Sequence, residues 1–120
     1  IYFKYIKRQN PYSLEAVEEL LKKFKDNINL IKGNSNKLLH KIDMTKIDYV
    51  FLDGGHEYKT VMNDLNCCRD VVQNNGTILC DDYDLARAPG VKKAIDEFVT
   101  KNTYKCSIIC NERFAKIEKN

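Results

Sequence analysis

The sequence predicts an α/β protein of three layers: a mostly parallel sheet covered by helices, with an antiparallel hairpin at its carboxyl-terminal edge. Three observations predict it. Short apolar runs alternate with segments of helical period, the joints between them are brief, and the tail holds two strand-like runs around a tight polar turn. Alternation of that kind builds βαβ units, whose crossovers are right-handed.

The elements follow in order. Leu14, Val17, Leu20, Leu21 and Phe24 share one face of a helix over 14–25, with Pro11 ahead of it, Ser13 as N-cap and Glu15 in the first turn. A short apolar run, Ile28 to Ile31, is the next strand, stopped by Gly33-Asn34-Ser35, and a brief helix follows from Lys37 to Lys41. Residues 47–52, IDYVFL, form a near-continuous apolar run ending at Asp53, the pattern of a parallel strand buried on both faces. Val61, Leu65, Cys68 and Val72 mark an amphipathic helix from Tyr58 to Gln73, closed by Asn75-Gly76. TILC at 77–80 is a buried strand ending at Asp81-Asp82. Beyond Pro89-Gly90, Val91, Ala94, Ile95, Phe98 and Val99 line a third helix. Tyr104–Cys110 and Arg113–Ile117 then form a hairpin around Asn111-Glu112.

The totals bound what this chain is. At 120 residues, 43% apolar and 31% charged, it is one globular domain at most, 1–120, and not a disordered chain. No apolar run approaches the roughly 18 residues of a membrane span, and IYFKYIKRQN is not a signal peptide. Because the chain starts at Ile1 with no initiator Met, we expect it to be cut from something longer. The net charge is +3, with ten Lys/Arg against six Asp/Glu in 1–50 and ten against eleven in 51–120. Lys22, Lys23 and Lys25 read as a solvated helix face. No basic run is interleaved with aromatics, so no nucleic-acid partner and no membrane partner is expected. The five cysteines lack CxxC spacing. Cys68 and Cys80 read as small buried hydrophobes in a reducing, cytoplasmic setting.

In open α/β sheets, ligands bind beyond the carboxyl ends of the strands. Here one strand delivers Asp53-Gly54-Gly55-His56 and the other Asp81-Asp82-Tyr83-Asp84. Strands about 4.8 Å apart would gather three carboxylates and an imidazole on one rim. Two readings stay open. Asp53, Asp81 and Asp82 supply hard oxygen ligands for Mg²⁺ or another hard divalent cation, with His56 taking a proton from a hydroxyl; or these residues are caps and loop formers. Asn34 and Ser35 likewise suit either a ligand's base edge or an N-cap. Tyr58 and Tyr83 read as packing residues.

Taken together, IDYVFLDGGHEYKTVMNDL, NNGTILCDDYD and GVKKAIDEFV, in that order, resemble the Rossmann-like class I S-adenosylmethionine-dependent methyltransferases. The resemblance runs from about residue 14 to 117 and points to the small-molecule O-methyltransferase branch, with its macrocin-, mycinamicin- and cephalosporin-type enzymes. It implies Asp53, Asp81 and Asp82 as ligands of Mg²⁺, His56 as the catalytic base, and Gly33, Asn34, Ser35 and Asp53 as cofactor-binding residues. The cofactor would be S-adenosylmethionine, and the partner a small-molecule or sugar hydroxyl acceptor. The family's glycine-rich loop and the acidic residue after its second strand have no counterpart here, although Ile1–Ile6 is a candidate for that second strand. The chain therefore reads as a partial domain truncated at its amino end, inactive alone, with the missing βα unit expected upstream. Its open sheet edge is expected to favour association of copies. A non-catalytic Rossmann-like interaction module and a metal-dependent hydrolase are the alternative readings.

Overall fold

The computed structural model describes residues 13–120, and its contacts divide the chain into two compact units, 1–33 and 34–120. The candidate strand Ile1–Ile6 and Pro11 lie outside the described residues.

In the first unit, α1 spans Leu14–Leu21 and tightens into a 3₁₀ segment, Lys22–Asn27. Ser13 caps it as expected, its Oγ accepting the Ala16 N–H at 3.2 Å. The strand expected at Ile28–Ile31 does not form. A strand needs a ladder partner for its backbone groups, this run has none among the described residues, and Ile28 and Ile31 are exposed.

The second unit begins with α2, Ser35–Leu38, prolonged by a 3₁₀ turn, Leu39–Lys41. It continues through β1 (Ile47–Leu52), α3 (Tyr58–Val71), β2 (Val72–Cys80), α4 (Pro89–Asn102), β3 (Lys105–Ile109) and β4 (Phe114–Glu118). The strand order is β1-β2-β4-β3. β1 and β2 are parallel, while β4 runs antiparallel to both β2 and β3. The fold is thus α/β and Rossmann-like, with the expected hairpin at the sheet's edge. Over the described residues the sheet is mixed rather than mostly parallel, because β4 lies between β2 and β3.

Alternation along the strands decides where the core sits. Ile78 and Cys80 of β2 and Ala115 and Ile117 of β4 face the same side and are buried together with Leu65 and Cys68 of α3 and Ala94, Ile95 and Phe98 of α4. Full burial of side chains this size stabilises by about 1.5–3 kcal/mol each. Burial also pushes the Cys68 and Cys80 thiols up to about 12, in keeping with small inert hydrophobes. The opposite face tells another story. Tyr49 and Phe51 of β1 are 56% and 50% exposed, so β1 is not buried on both sides as its apolar run implied. α3 and α4 pack on one face only, and a parallel strand alternates only when one face is left uncovered.

The boundary between α3 and β2 also differs from expectation. The helix stops at Val71 and β2 begins at once, because Lys119, just past β4, donates its Nζ to the carbonyls of Arg69 (2.8 Å) and Val72 (2.6 Å). The register then shifts between Ile47↔Val72 and Tyr49↔Thr77, so Gln73 to Gly76 form a bulge. Asn75 turns there with φ 66°. A Cβ on Gly76 would meet Val72 Cγ1 at 2.5 Å, the Gln73 carbonyl at 2.8 Å and the Asp48 carbonyl at 3.1 Å. Two of those atoms are backbone and cannot step aside. Gly76→Ala is therefore expected to lower stability by about 1–3 kcal/mol, read from urea unfolding; an unchanged midpoint would mean the bulge relaxes freely.

Candidate functional site

The rim is built by register. Leu52 pairs with Cys80, so Asp53 and Asp81 leave their strands side by side, and the Asp81 N–H donates to the Leu52 carbonyl at 2.9 Å. Asp53, Gly54, Gly55, His56, Asp64, Asp81 and Asp82 line one cleft there, floored by Leu52, Val61, Cys80 and Val91. The expected convergence of Asp53, His56, Asp81 and Asp82 is present.

Their roles separate by partner. His56 Nε2 lies 3.0 Å from Asp82 Oδ2. An ionised carboxylate only accepts, so Nε2–H donates to Asp82 and the Nδ1 lone pair of a neutral ring is left open. Asp82 has φ 58°, a left-handed conformation that Asp tolerates better than most residues, and it aims the carboxylate back at His56. The His56 loop is fixed from behind by α4. A Cβ on Gly90 would strike the Tyr58 N at 2.7 Å and the His56 carbonyl at 3.0 Å, so only glycine lets the helix start this close. Tyr58 and Tyr83 pack beside the site, their hydroxyls donating to Glu97 and Asp96 of α4.

Asp81 is buried, with a side chain 6% exposed. Arg113 grips it with both arms of its fork, Nε to Oδ1 at 2.8 Å and Nη2 to Oδ2 at 2.9 Å. The Asp82 N–H adds a third bond to Oδ1 at 2.7 Å. The Arg113 hydrogen bonds hold the Asp81 carboxyl below its usual range, against the upward push of burial, and Asp81 in turn raises the guanidinium. Charge-assisted bidentate pairs are the strong ones.

These partners bear on the expected metal. Both Asp81 oxygens are taken by a cation, one Asp82 oxygen faces His56, and among the described residues no three His, Cys, Asp or Glu side chains are grouped to hold a metal ion. As arranged, the set Asp53, Asp81 and Asp82 does not fit a divalent cation. The reason is Arg113, whose charge already balances the buried carboxylate.

The other candidates act as local braces. Asn34 accepts the Asn36 N–H at 2.9 Å as N-cap of α2, and Ser35 donates its hydroxyl to Asp64 Oδ2 at 3.2 Å. Gly33 is exposed at the end of the first unit. Asp53 is exposed in the cleft. Two residues of the rim escaped the sequence reading. Asp64 is one: three residues after Val61 and one before Leu65, it lies on the buried side of α3, and only the helical spacing could have flagged it. Arg113 is the other. A strand antiparallel to β2 must begin where β2 ends, so the residue just ahead of β4 reaches the rim.

Comparison with known proteins decides the family. Residues 5–83 match the methyltransferase domain family. The chain belongs to that family. An uncharacterized protein, R132, from Acanthamoeba polyphaga mimivirus is 41% identical over 54 residues, covering 44% of this chain and 24% of its own length. Among solved structures, the O-methyltransferase NovP superposes with a TM-score of 0.73 at 18% identity, over 90% of this chain and 45% of NovP. The TDP-rhamnose 3'-O-methyltransferase CalS11 of calicheamicin biosynthesis gives 0.70 at 14% identity, over 87% of this chain and 50% of CalS11. The Podospora anserina methyltransferase PaMTH1, bound to S-adenosylhomocysteine, gives 0.66 at 19%, over 92% of this chain and 58% of PaMTH1. The chain thus spans about half the length of these structures and a quarter of R132.

The Asp81–Arg113 pair predicts a pH dependence. A carboxyl held below its unfolded value of about 3.9 stabilises fully above that value and ceases to as pH falls through the folded one. Melting temperature should therefore fall on acidification below about pH 4, and Asp81→Asn should both lower it at neutral pH and flatten that acid limb.

Proposed function

We propose that this chain is the acceptor-side part of an S-adenosylmethionine-dependent O-methyltransferase acting on a hydroxyl of a small molecule or sugar. The observation that supports it most is the His56–Asp82 pair at the carboxyl rim of parallel strands, in a chain of the methyltransferase domain family. When bound, S-adenosylmethionine supplies an electrophilic methyl group on a sulfonium. The cleft suits such a ligand at its open side, where the Asp53 carboxylate is exposed and Gly54-Gly55 present backbone without side chains. Asn34 and Ser35 hold the neighbouring turn by their own hydrogen bonds, a supporting rather than a direct role.

The chain's residues then divide the work. Asp82 accepts from Nε2–H and fixes the ring, as a carboxylate does for a catalytic imidazole. Nδ1 is the atom that would take the acceptor's hydroxyl proton, and S-adenosylmethionine, when bound, would supply the methyl group to that oxygen. Val61, Val91 and Leu52 wall the cleft with apolar surface, which strengthens the electrostatics within it. No step is routed through a metal ion, since Arg113 holds both oxygens of Asp81 and Asp82 Oδ2 faces His56.

A non-catalytic module is the second reading, favoured by Asn34 acting as a cap and Asp81 as an ion-pair partner. Titrating S-adenosylhomocysteine into the full-length protein separates the two: the enzyme binds it, the module does not. With a hydroxylated acceptor, His56→Ala is expected to reduce methyl transfer by about 10²–10⁴-fold while leaving S-adenosylhomocysteine affinity within a few-fold. Full activity in His56→Ala would remove the base from the mechanism.

A further inference from the structure

We infer that Arg113 is a built-in counter-ion that takes the place of a divalent cation at this rim, and that the rim binds no such cation while Arg113 remains. The argument is one of occupied oxygens and charge. A hard divalent ion seeks several carboxylate oxygens at short range. Here three of the Asp81 acceptor sites are taken: Oδ1 accepts from Arg113 Nε at 2.8 Å and from the Asp82 N–H at 2.7 Å, and Oδ2 accepts from Arg113 Nη2 at 2.9 Å. Asp82 Oδ2 is engaged by His56 at 3.0 Å. A cation entering between Asp53 and Asp81 would also meet a fixed guanidinium of like charge.

The Arg113 side chain is 61% exposed, yet it is held across the site by its neighbours. Its backbone is anchored, the Arg113 carbonyl accepting the Tyr83 N–H at 2.9 Å and its N–H donating to the Cys110 carbonyl at 3.2 Å. Its guanidinium lies 5.1 Å from the centre of the Phe114 ring, a favourable placement for a cation. Three neighbouring residues in left-handed conformation, Cys110, Asn111 and Glu112, with φ 53° to 64°, shape the hairpin that delivers it. The family match ends at Tyr83, so Arg113 is contributed by a part of the chain beyond it. Opening the pair would leave the Asp81 carboxylate, 6% exposed, with only the Asp82 N–H bonded to it, and a buried acceptor that loses partners costs stability.

This inference concerns the rim alone and is independent of methyl transfer. Electron paramagnetic resonance of Mn²⁺ titrated into the full-length protein tests it without any acceptor or cofactor. The wild type and Asp81→Asn should leave the free Mn²⁺ signal equally unaffected. Arg113→Gln should gain a saturable site, with affinity raised about tenfold or more as the pair's charge is freed, and adding Asp81→Asn to it should remove that site. Saturable Mn²⁺ binding by the wild type that Asp81→Asn abolishes overturns the inference, as does a folded Arg113→Gln that binds no better than wild type. If Arg113→Gln does not fold, the comparison of wild type with Asp81→Asn decides alone.

Discussion

A carboxylate buried where three strands meet constrains this rim more than any other group. Asp81 leaves β2 with its N–H bonded to β1 and its side chain bonded to the residue ahead of β4. Taking a carboxylate out of water costs several kcal/mol unless it is paired and hydrogen-bonded. That cost makes the pairing geometry stringent, and stringency here means position. Because Arg113 must reach Asp81, the hairpin must end level with β2, and because the Asp82 N–H must reach Oδ1, the chain after Asp81 must turn sharply. Asp82 turns through a left-handed residue and arrives facing His56. The ion pair and the imidazole partner are therefore two consequences of one turn.

The same core that stabilises the second unit sets the depth of the cleft. Val61 and Val91 are buried core residues and also cleft walls, so α3 and α4 cannot shift without moving the site. Gly90 carries this coupling furthest: the amino end of α4 rests on the backbone of His56 and Tyr58, leaving the imidazole loop little room to wander. The base proposed at His56 would need such fixing, since small displacements of a reacting group are costly in rate. Lys119 does the equivalent at the far end of α3, catching two carbonyls that the helix leaves free.

Local signals in the sequence were read correctly where one element determines the outcome. Ser13 caps α1, the spacing of Val91, Ala94, Ile95 and Phe98 gives α4, and Asn111-Glu112 turns the hairpin, each by chemistry confined to a few residues. The failures arose wherever a distant partner decides. Ile28–Ile31 carries a strand's composition, but composition supplies no ladder. IDYVFL is apolar throughout, yet which of its faces is covered depends on where helices dock. Asn75-Gly76 is a stop signal by type, and Lys119, more than forty residues on, moves the actual stop to Val71. The site divides the same way: the four residues at strand ends converge because register is shared, while Arg113 precedes a strand whose neighbour is invisible without the topology.

Identical residue types at neighbouring positions have been sorted by environment into different roles. Asp81, buried and gripped on both oxygens, is a fixed charge whose partner reaches it from the more exposed side. Asp82, a quarter exposed, keeps contact with an imidazole. Asp53, exposed, faces the open cleft. A composition-level view sees three carboxylates and infers a shared need for a cation. The geometry shows that the need has been met once, inside the protein, by a guanidinium. What a ligand meets at this rim is then the Asp53 carboxylate, the His56–Asp82 pair and a guanidinium already bonded to Asp81, rather than three bare carboxylates.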